Sequence, residues 1–188
     1  MSVKIAQPYL DPCAEELLRA TSVPRKALFL DRDGVINVDH GYVHEPEDTD
    51  WVPGIFELCA KARCAGYVLV VVTNQAGIAR GYYSEEAFLT YTKWVHEQFA
   101  KRSVPLAATY YCPHHPEVGM DGLRLHCDCR KPAPGMILAA ASDLKLNLQA
   151  SVLIGDKSSD LEAARAAKVG RWLLLERSEG RLMDFNFS

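Results

Sequence analysis

The chain has 188 residues, 48% hydrophobic and 24% charged, with a formal net charge of −3. That length suits one domain with a proper core, and the composition is that of an ordinary globular protein. The slight acidity gives no reason to expect nucleic acid or an anionic membrane as partner, no stretch is long enough to span a bilayer, and the N-terminus carries no apolar leader-like run, so a cytoplasmic location is expected.

Residues 1–24 read as an N-terminal extension in which Asp11–Ala20 suits a short helix, with Asp11 as cap and Pro12 in its first position. Ala27–Leu30 is a buried strand running into Asp31-Arg32-Asp33-Gly34. The i, i+2 spacing puts both carboxylates on one side, where they are costly unless a cation, or a phosphate with its cation, lies between them. On these residues alone, a polar turn explains the pattern equally well. The loop from Val38 to Pro53 is too long for a plain connection, and Asp39-His40-Gly41-Tyr42 stand within reach of a ligand at the aspartates.

Gly54–Ala65 has helical periodicity and Gly66 to end it. Tyr67–Val72 is a second buried strand, ending in Thr73-Asn74-Gln75-Ala76. Ser84 caps a helix with the apolar stripe Phe88, Tyr91, Val95 and Phe99, on which Trp94 and His96 read as packing or surface residues. Ala107–Tyr111 is a third strand, residues 112–134 an irregular insertion, and Met136–Leu144 a helix. Ser151–Ile154 is a fourth strand ending in Gly155-Asp156-Lys157. A helix capped by Ser158 or Ser159 follows through Ala167, with Gly170 as its stop, and Arg171–Leu175 is a fifth strand. The remaining tail shows no strong element. Unbroken apolar strands alternating with helices predict an α/β doubly wound parallel sheet, with residues 25–188 as a single domain.

Ligands of such sheets sit beyond the carboxyl ends of the strands. Asp31, Asp33, Thr73 and Asp156 all fall there, and Lys131 precedes the helix after the insertion. Three carboxylates call for a divalent cation, magnesium by ligand type, and a lysine with a threonine hydroxyl complements a phosphoryl group on that cation. Within the insertion, Cys112-Pro-His114 and Cys127-Asp-Cys129 supply three thiolates and an imidazole in two tight pairs, the pattern of a structural zinc site at 112–130. Cys13, Cys59 and Cys64 read as ordinary small residues, and His115 and His126 as bystanders. Cys129 leads straight into Arg130 and Lys131, so zinc would also position those two side chains.

Asp31-Arg-Asp-Gly-Val, Thr73-Asn, Lys131-Pro and Gly155-Asp-x-x-x-Asp160 resemble the motifs of the haloacid dehalogenase-like (HAD-like) superfamily. That resemblance implies a Rossmann-like core with a minimal cap and phosphoryl transfer through an aspartyl-phosphate. Asp31 would be the nucleophile and Asp33 the acid and base, while Thr73 and Lys131 hold phosphoryl oxygens. Magnesium would lie on Asp31, Asp156 and Asp33, the last through its main-chain carbonyl, with Asp160 behind.

Asp31 to Asn37 with Asp39-His-Gly-Tyr-Val, Thr73-Asn-Gln-Ala-Gly-Ile-Ala-Arg-Gly and the Cys-Pro-His…Cys-Asp-Cys-Arg-Lys-Pro stretch closely resemble the D-glycero-D-manno-heptose 1,7-bisphosphate 7-phosphatases. This implies release of the 7-phosphate during synthesis of nucleotide-activated heptose for lipopolysaccharide or other surface glycans. The substrate would meet Asp31, Arg32, Asp33, Asp39, His40, Gly41, Tyr42, Thr73, Asn74, Gln75, Ala76, Arg130, Lys131 and Lys157. Arg130 would join the catalytic set by recognising the second phosphate or the sugar. A small phosphorylated sugar is the only partner implied, and the chain is expected to be a monomer. Against that family, residues 1–24 are extra and the tail after Leu175 is short. A histidinol-phosphate phosphatase shares the fold, magnesium chemistry and a shorter zinc loop. A zinc-braced binding module is disfavoured by the intact set of Asp31, Asp33, Thr73, Lys131 and Asp156, and a nucleotide-fuelled kinase by the lack of a phosphate-binding glycine loop.

Overall fold

The computed structural model describes residues 6–120, 122–175, 182 and 185–187. Residues 1–5 and most of the tail, for which no strong element is predicted, lie outside the described residues.

The first parallel strand, β2 at Lys26–Leu30, shows why the sheet is covered on both sides: Leu28 and Leu30 enter one hydrophobic cluster, Ala27 and Phe29 the other. The first cluster is closed by α2 (Ile55–Cys64) and α4 (Glu85–Lys101), through Ile55, Leu58 and Ala62 and through Tyr91, Val95 and Phe99. The second is closed by α5 (Gly135–Leu144) and α6 (Ser158–Ala166), through Met136, Ile137 and Ala140 and through Ala163 and Ala164.

The remaining strands are β1 (Tyr9–Leu10), β3 (Tyr67–Asn74), β4 (Ala108–Cys112), β5 (Val152–Gly155) and β6 (Arg171–Leu174). They form one six-stranded sheet in the order β1-β4-β3-β2-β5-β6. All pairs are parallel except β1 on β4, which is antiparallel. The chain leaves β2 to one side through β3 and later returns to its other side as β5. The crevice beyond the end of β2 is therefore the switch point where such sheets bind ligands.

Several local readings change. The segment before Arg25 adds the edge strand β1. Its helix α1 (Ala14–Arg19) starts after Cys13 instead of Asp11. Asp11 stands just before it: its Oδ1 accepts from the Cys13 N–H at 2.9 Å in an Asx turn that leads into the helix, and its Oδ2 lies 3.0 Å from Nδ1 of the buried His96. Strand β4 reaches Cys112, because that residue pairs with Asn74 and its carbonyl accepts from the Gln75 N–H at 2.8 Å. Neither Ser158 nor Ser159 caps α6. Lys157 stands there, its N–H held at 3.0 Å by the carboxylate of Asp160, which is buried in the site. Lys168, at φ 60°, makes the left-handed turn after α6 that Gly170 was expected to make. Ser84 does cap α4, accepting from the Ala87 N–H at 3.0 Å. Among the described residues no helix is long and apolar enough to cross a membrane.

Candidate active site

At the end of β2 the backbone turns sharply through Gly34, whose φ of +90° few other residues adopt. The turn brings Gly34 against the Asp156 carboxylate arriving from β5, so that a Cβ at this position would collide with it. Asp31, Asp156 and Asp160 thereby converge, with one oxygen of each within 4.8 Å of the others. Lys131 compensates them. Its ammonium is buried and pairs with Asp31 Oδ1 at 2.9 Å and with Asp160, and it donates to the Val72 carbonyl at 2.8 Å. Burial opposes the charge on Lys131, but the two carboxylates outweigh it and hold the pKa above the ordinary lysine value.

Asp160 also accepts from the Lys157 N–H, so both of its oxygens are engaged, one with Lys131 and one with the helix start. Asp156 differs: its Oδ1 is buried with no partner, and burial pushes its pKa up to about 6, Lys157 opposing and Asp31 and Asp160 assisting. An orphaned carboxylate oxygen beside a second carboxylate fits a hard divalent cation. Asp31 and Asp156 are the residues free to hold it, and Asp160 acts by fixing Lys131.

The Asp33 side chain does not join this group, contrary to a direct carboxylate role in metal binding. Its oxygens accept from Arg32 Nε and Nη2 at 2.9–3.1 Å, from Asn37 Nδ2 at 3.1 Å and from Gln75 Nε2 at 3.3 Å. Only its main-chain carbonyl remains to be offered to a cation. The Arg32 side chain, expected to touch substrate, is instead buried: it grips Asp33, donates to the Val43 carbonyl at 2.6 Å and stacks near Tyr91. Gln75 is buried too, donating to Thr73 Oγ1 at 2.8 Å and accepting from Tyr83 Oη at 2.7 Å. Asn74 clasps the backbone of Lys131. These three side chains therefore position their neighbours.

The loop after β2 is tied to the site by Lys157, whose ammonium lies 3.3 Å from Asp39 and 3.9 Å from Asp156. His40 turns toward Asp50 at 2.8 Å on the exposed flank of the loop. Tyr42, itself at φ 59° and exposed, packs edge-on to the exposed Tyr82, a residue the sequence did not single out.

In the 112–130 loop, Cys112, His114, Cys127 and Cys129 bring their donor atoms together. The sulfurs lie 3.2–3.6 Å apart, and His114 Nδ1 is 3.4 Å from Cys129 Sγ and 3.7 Å from Cys112 Sγ. The edges of a tetrahedron around zinc, with bonds of about 2.3 Å to sulfur, measure about 3.8 Å, so the set fits the metal. Without metal, the hydrogen bond between Cys112 and Cys129 pushes the Cys129 thiol down to about 5 and raises Cys112 in turn.

A family model for HAD-hydrolase-like proteins matches residues 128–176. The D-glycero-beta-D-manno-heptose-1,7-bisphosphate 7-phosphatase of Vibrio cholerae is 51% identical over 151 residues, 80% of this chain and 81% of that one. Its namesake from Escherichia coli K12 is 49% identical over 156 residues, 83% of this chain and 81% of that one. The chain belongs to this phosphatase family. Among solved structures, the D,D-heptose 1,7-bisphosphate phosphatase of B. bronchiseptica, complexed with magnesium and phosphate, is 34% identical with a TM-score of 0.69 over 79% of each chain.

Within this family member the structure brings Asp31, Lys131 and Asp156 into one cluster, with Thr73 one hydrogen bond from Gln75 and Asp33 two from Thr73 through the same amide. It places Arg130 on the rim, Nη1 donating to the His114 carbonyl at 3.1 Å. Asn37 and Tyr83 were not singled out by the sequence, and Asp160, expected behind the cation, is engaged with Lys131 and the start of α6.

Proposed function

We propose that this chain removes the 7-phosphate of D-glycero-D-manno-heptose 1,7-bisphosphate, a step toward nucleotide-activated heptose. The observation that carries the chemistry is the buried Asp31–Lys131–Asp160 arrangement beside the orphaned oxygen of Asp156. A magnesium ion, when bound by Asp31, Asp156 and the main chain of Asp33, supplies charge neutralisation between the nucleophile and an anionic phosphate. Asp31 attacks phosphorus, and Lys131 and Thr73 hold the oxygens where charge is greatest. Asp33, held by Arg32, Asn37 and Gln75, gives a proton to the leaving sugar oxygen and later takes one from the hydrolytic water. Zinc on Cys112, His114, Cys127 and Cys129 braces the backbone that delivers Arg130 and Lys131. Asp39 to Tyr42, the main chain of Thr73 to Ala76, Arg130 and Lys157 surround the sugar, the first loop being tied to the site through Lys157. We read the enzyme as a cytoplasmic monomer whose one partner is its sugar phosphate, built as a single domain over residues 25–188 with an N-terminal extension.

The test compares phosphate release, with magnesium, from heptose 1,7-bisphosphate and from histidinol phosphate. A far higher kcat/KM for the sugar is expected, and equal or reversed preference overturns the substrate. Asp31→Asn is expected to abolish turnover; retained activity, with deamidation excluded, overturns the nucleophile.

A further inference from the structure

Tyr83 is buried one hydrogen bond from Gln75 and is unused by this chemistry. It follows the turn after the short helix α3 (Ala76–Ala79), in which the Tyr82 N–H donates to the Gly77 carbonyl at 3.0 Å. Its ring lies so close on Gly77 that a Cβ there would collide with the phenol, and the His44 ring stacks on it with centroids 4.5 Å apart. His44 belongs to the loop after β2, and its Nδ1 donates to the Tyr42 carbonyl at 2.8 Å. The phenol is therefore held between α3 and the loop expected against the sugar. Burial pushes its pKa up to about 12, so the hydroxyl keeps its proton at any pH near neutrality.

That proton goes to Gln75 Oε1 at 2.7 Å. With Oε1 taken, Nε2 must point the other way, where it donates to Thr73 Oγ1 at 2.8 Å and to Asp33 Oδ2 at 3.3 Å. A side-chain amide has nearly the same shape at its two ends, so a half-turn exchanges donor for acceptor with little change in packing. The two partners differ in how they meet such a turn. The Thr73 hydroxyl can rotate and donate to a carbonyl oxygen. The Asp33 carboxylate only accepts, and a carbonyl oxygen facing it leaves it unpaired on that side. Arg32 Nε and Asn37 Nδ2 hold Oδ1, the other oxygen of Asp33, so Gln75 is what steadies the Oδ2 edge together with Arg32 Nη2.

We propose that Tyr83 is a positioning residue for proton transfer at the leaving sugar oxygen: its hydroxyl locks the Gln75 amide in the orientation that holds Asp33. As the P–O bond to the sugar breaks, the Asp33 carboxyl passes its proton to the departing oxygen and becomes the carboxylate that the Gln75 N–H faces. Tyr83 acts through Gln75 and does not touch substrate. This assignment rests on the reading of Asp33 as acid and base above and adds to it the group that keeps Asp33 aligned.

The test measures kcat/KM, which covers the steps up to phosphoryl transfer onto Asp31, for wild type, Tyr83→Phe and Asp33→Asn on two substrates. Heptose 1,7-bisphosphate expels an alkoxide that needs a proton, whereas p-nitrophenyl phosphate expels a stable phenolate that does not. Tyr83→Phe keeps the ring and removes only the hydroxyl. It is expected to lower kcat/KM about 5- to 20-fold on the bisphosphate and less than about 2-fold on the nitrophenyl ester. An equal fall on both substrates makes Tyr83 structural and overturns the proposal, as does no change on either. Adding Tyr83→Phe to Asp33→Asn is expected to cost less than about 2-fold more on the bisphosphate, because the group it positions is already gone. A loss there as large as in wild type also overturns the proposal. Asp33→Asn falling equally on both substrates is a different result, and it overturns the acid role of Asp33 in the functional reading.

Discussion

The side-chain amide of Asn74 holds the backbone of Lys131 at two points: Nδ2 donates to its carbonyl and Oδ1 accepts from its N–H, each at 3.0 Å. The end of β3 therefore fixes the residue that neutralises Asp31, across a large gap in sequence. Asn74→Ala is expected to lower kcat by about 10- to 100-fold, two hydrogen bonds at about 1 kcal/mol each, with KM little changed. Asn74→Asp should be worse, because a carboxylate faces the Lys131 carbonyl with no donor. Steady-state kinetics on both variants checks this, and an effect confined to KM would mean that Asn74 contacts substrate.

Asp156 illustrates stability given up for function. Its folded pKa of about 6 lies above the ordinary 3.8, chiefly through burial. Its contribution to the stability of the metal-free protein is therefore fully present below about pH 4 and is lost as the pH rises through 6. Asp156→Asn is expected to raise the Tm of the metal-free protein at pH 7.5 while abolishing magnesium-dependent activity. Magnesium affinity of the natural protein should fall below pH 6, where the proton competes for the same carboxylate. Thermal melts with and without magnesium at pH 5 and 7.5 check both statements.

The thiol cluster predicts a metal dependence separate from the catalytic one. Purified protein should hold about one zinc per chain, and removing it with a chelator should lower both Tm and activity because Cys129 is contiguous with Arg130 and Lys131. Activity should return on adding zinc and not on adding more magnesium. Cys129→Ser, at one of the two buried cysteines of the cluster, is expected to lose zinc and to fold poorly.

The N-terminal segment is held by a buried contact. His96 Nδ1 donates to Asp11 at 3.0 Å and its Nε2 lies 2.9 Å from Thr109 Oγ1, joining the segment before α1 to α4 and β4. The hydrogen bond from His96 holds the Asp11 carboxyl below its ordinary value, burial opposing. Because the folded pKa is depressed, this stabilisation is present above about pH 4 and is lost as the pH falls through the lowered value. Asp11→Ala should lower Tm by about 2–6 °C near neutral pH and leave kcat unchanged.

Much of this arrangement could be read from residue order. Apolar runs of strand length, each ending in Asp31, Thr73 or Asp156, mark the sheet and its ligand-binding edge, since both depend on local pattern. The paired spacing of Cys112, His114, Cys127 and Cys129 declares a metal site for the same reason, as ligand chemistry is carried by residue type. Edge strand β1 was not legible: two residues have no period, and their pairing depends on the distant Ala108 and Thr109.

The site separates the two kinds of information further. Residue types and spacings determined by themselves that carboxylates, a hydroxyl and a lysine gather at the strand ends. Only tertiary structure decided which of them meet. Asp33 and Asp31 stand two residues apart, yet Arg32, Asn37 and Gln75 draw one into a hydrogen-bonded cage while Lys131 holds the other at the cation site. Arg32 and Gln75, expected against the substrate, and Asp160, expected behind the cation, are buried because each finds a charged or hydrogen-bonded partner from another segment. Burial of a polar group depends on its partners, and those are set by the fold as a whole.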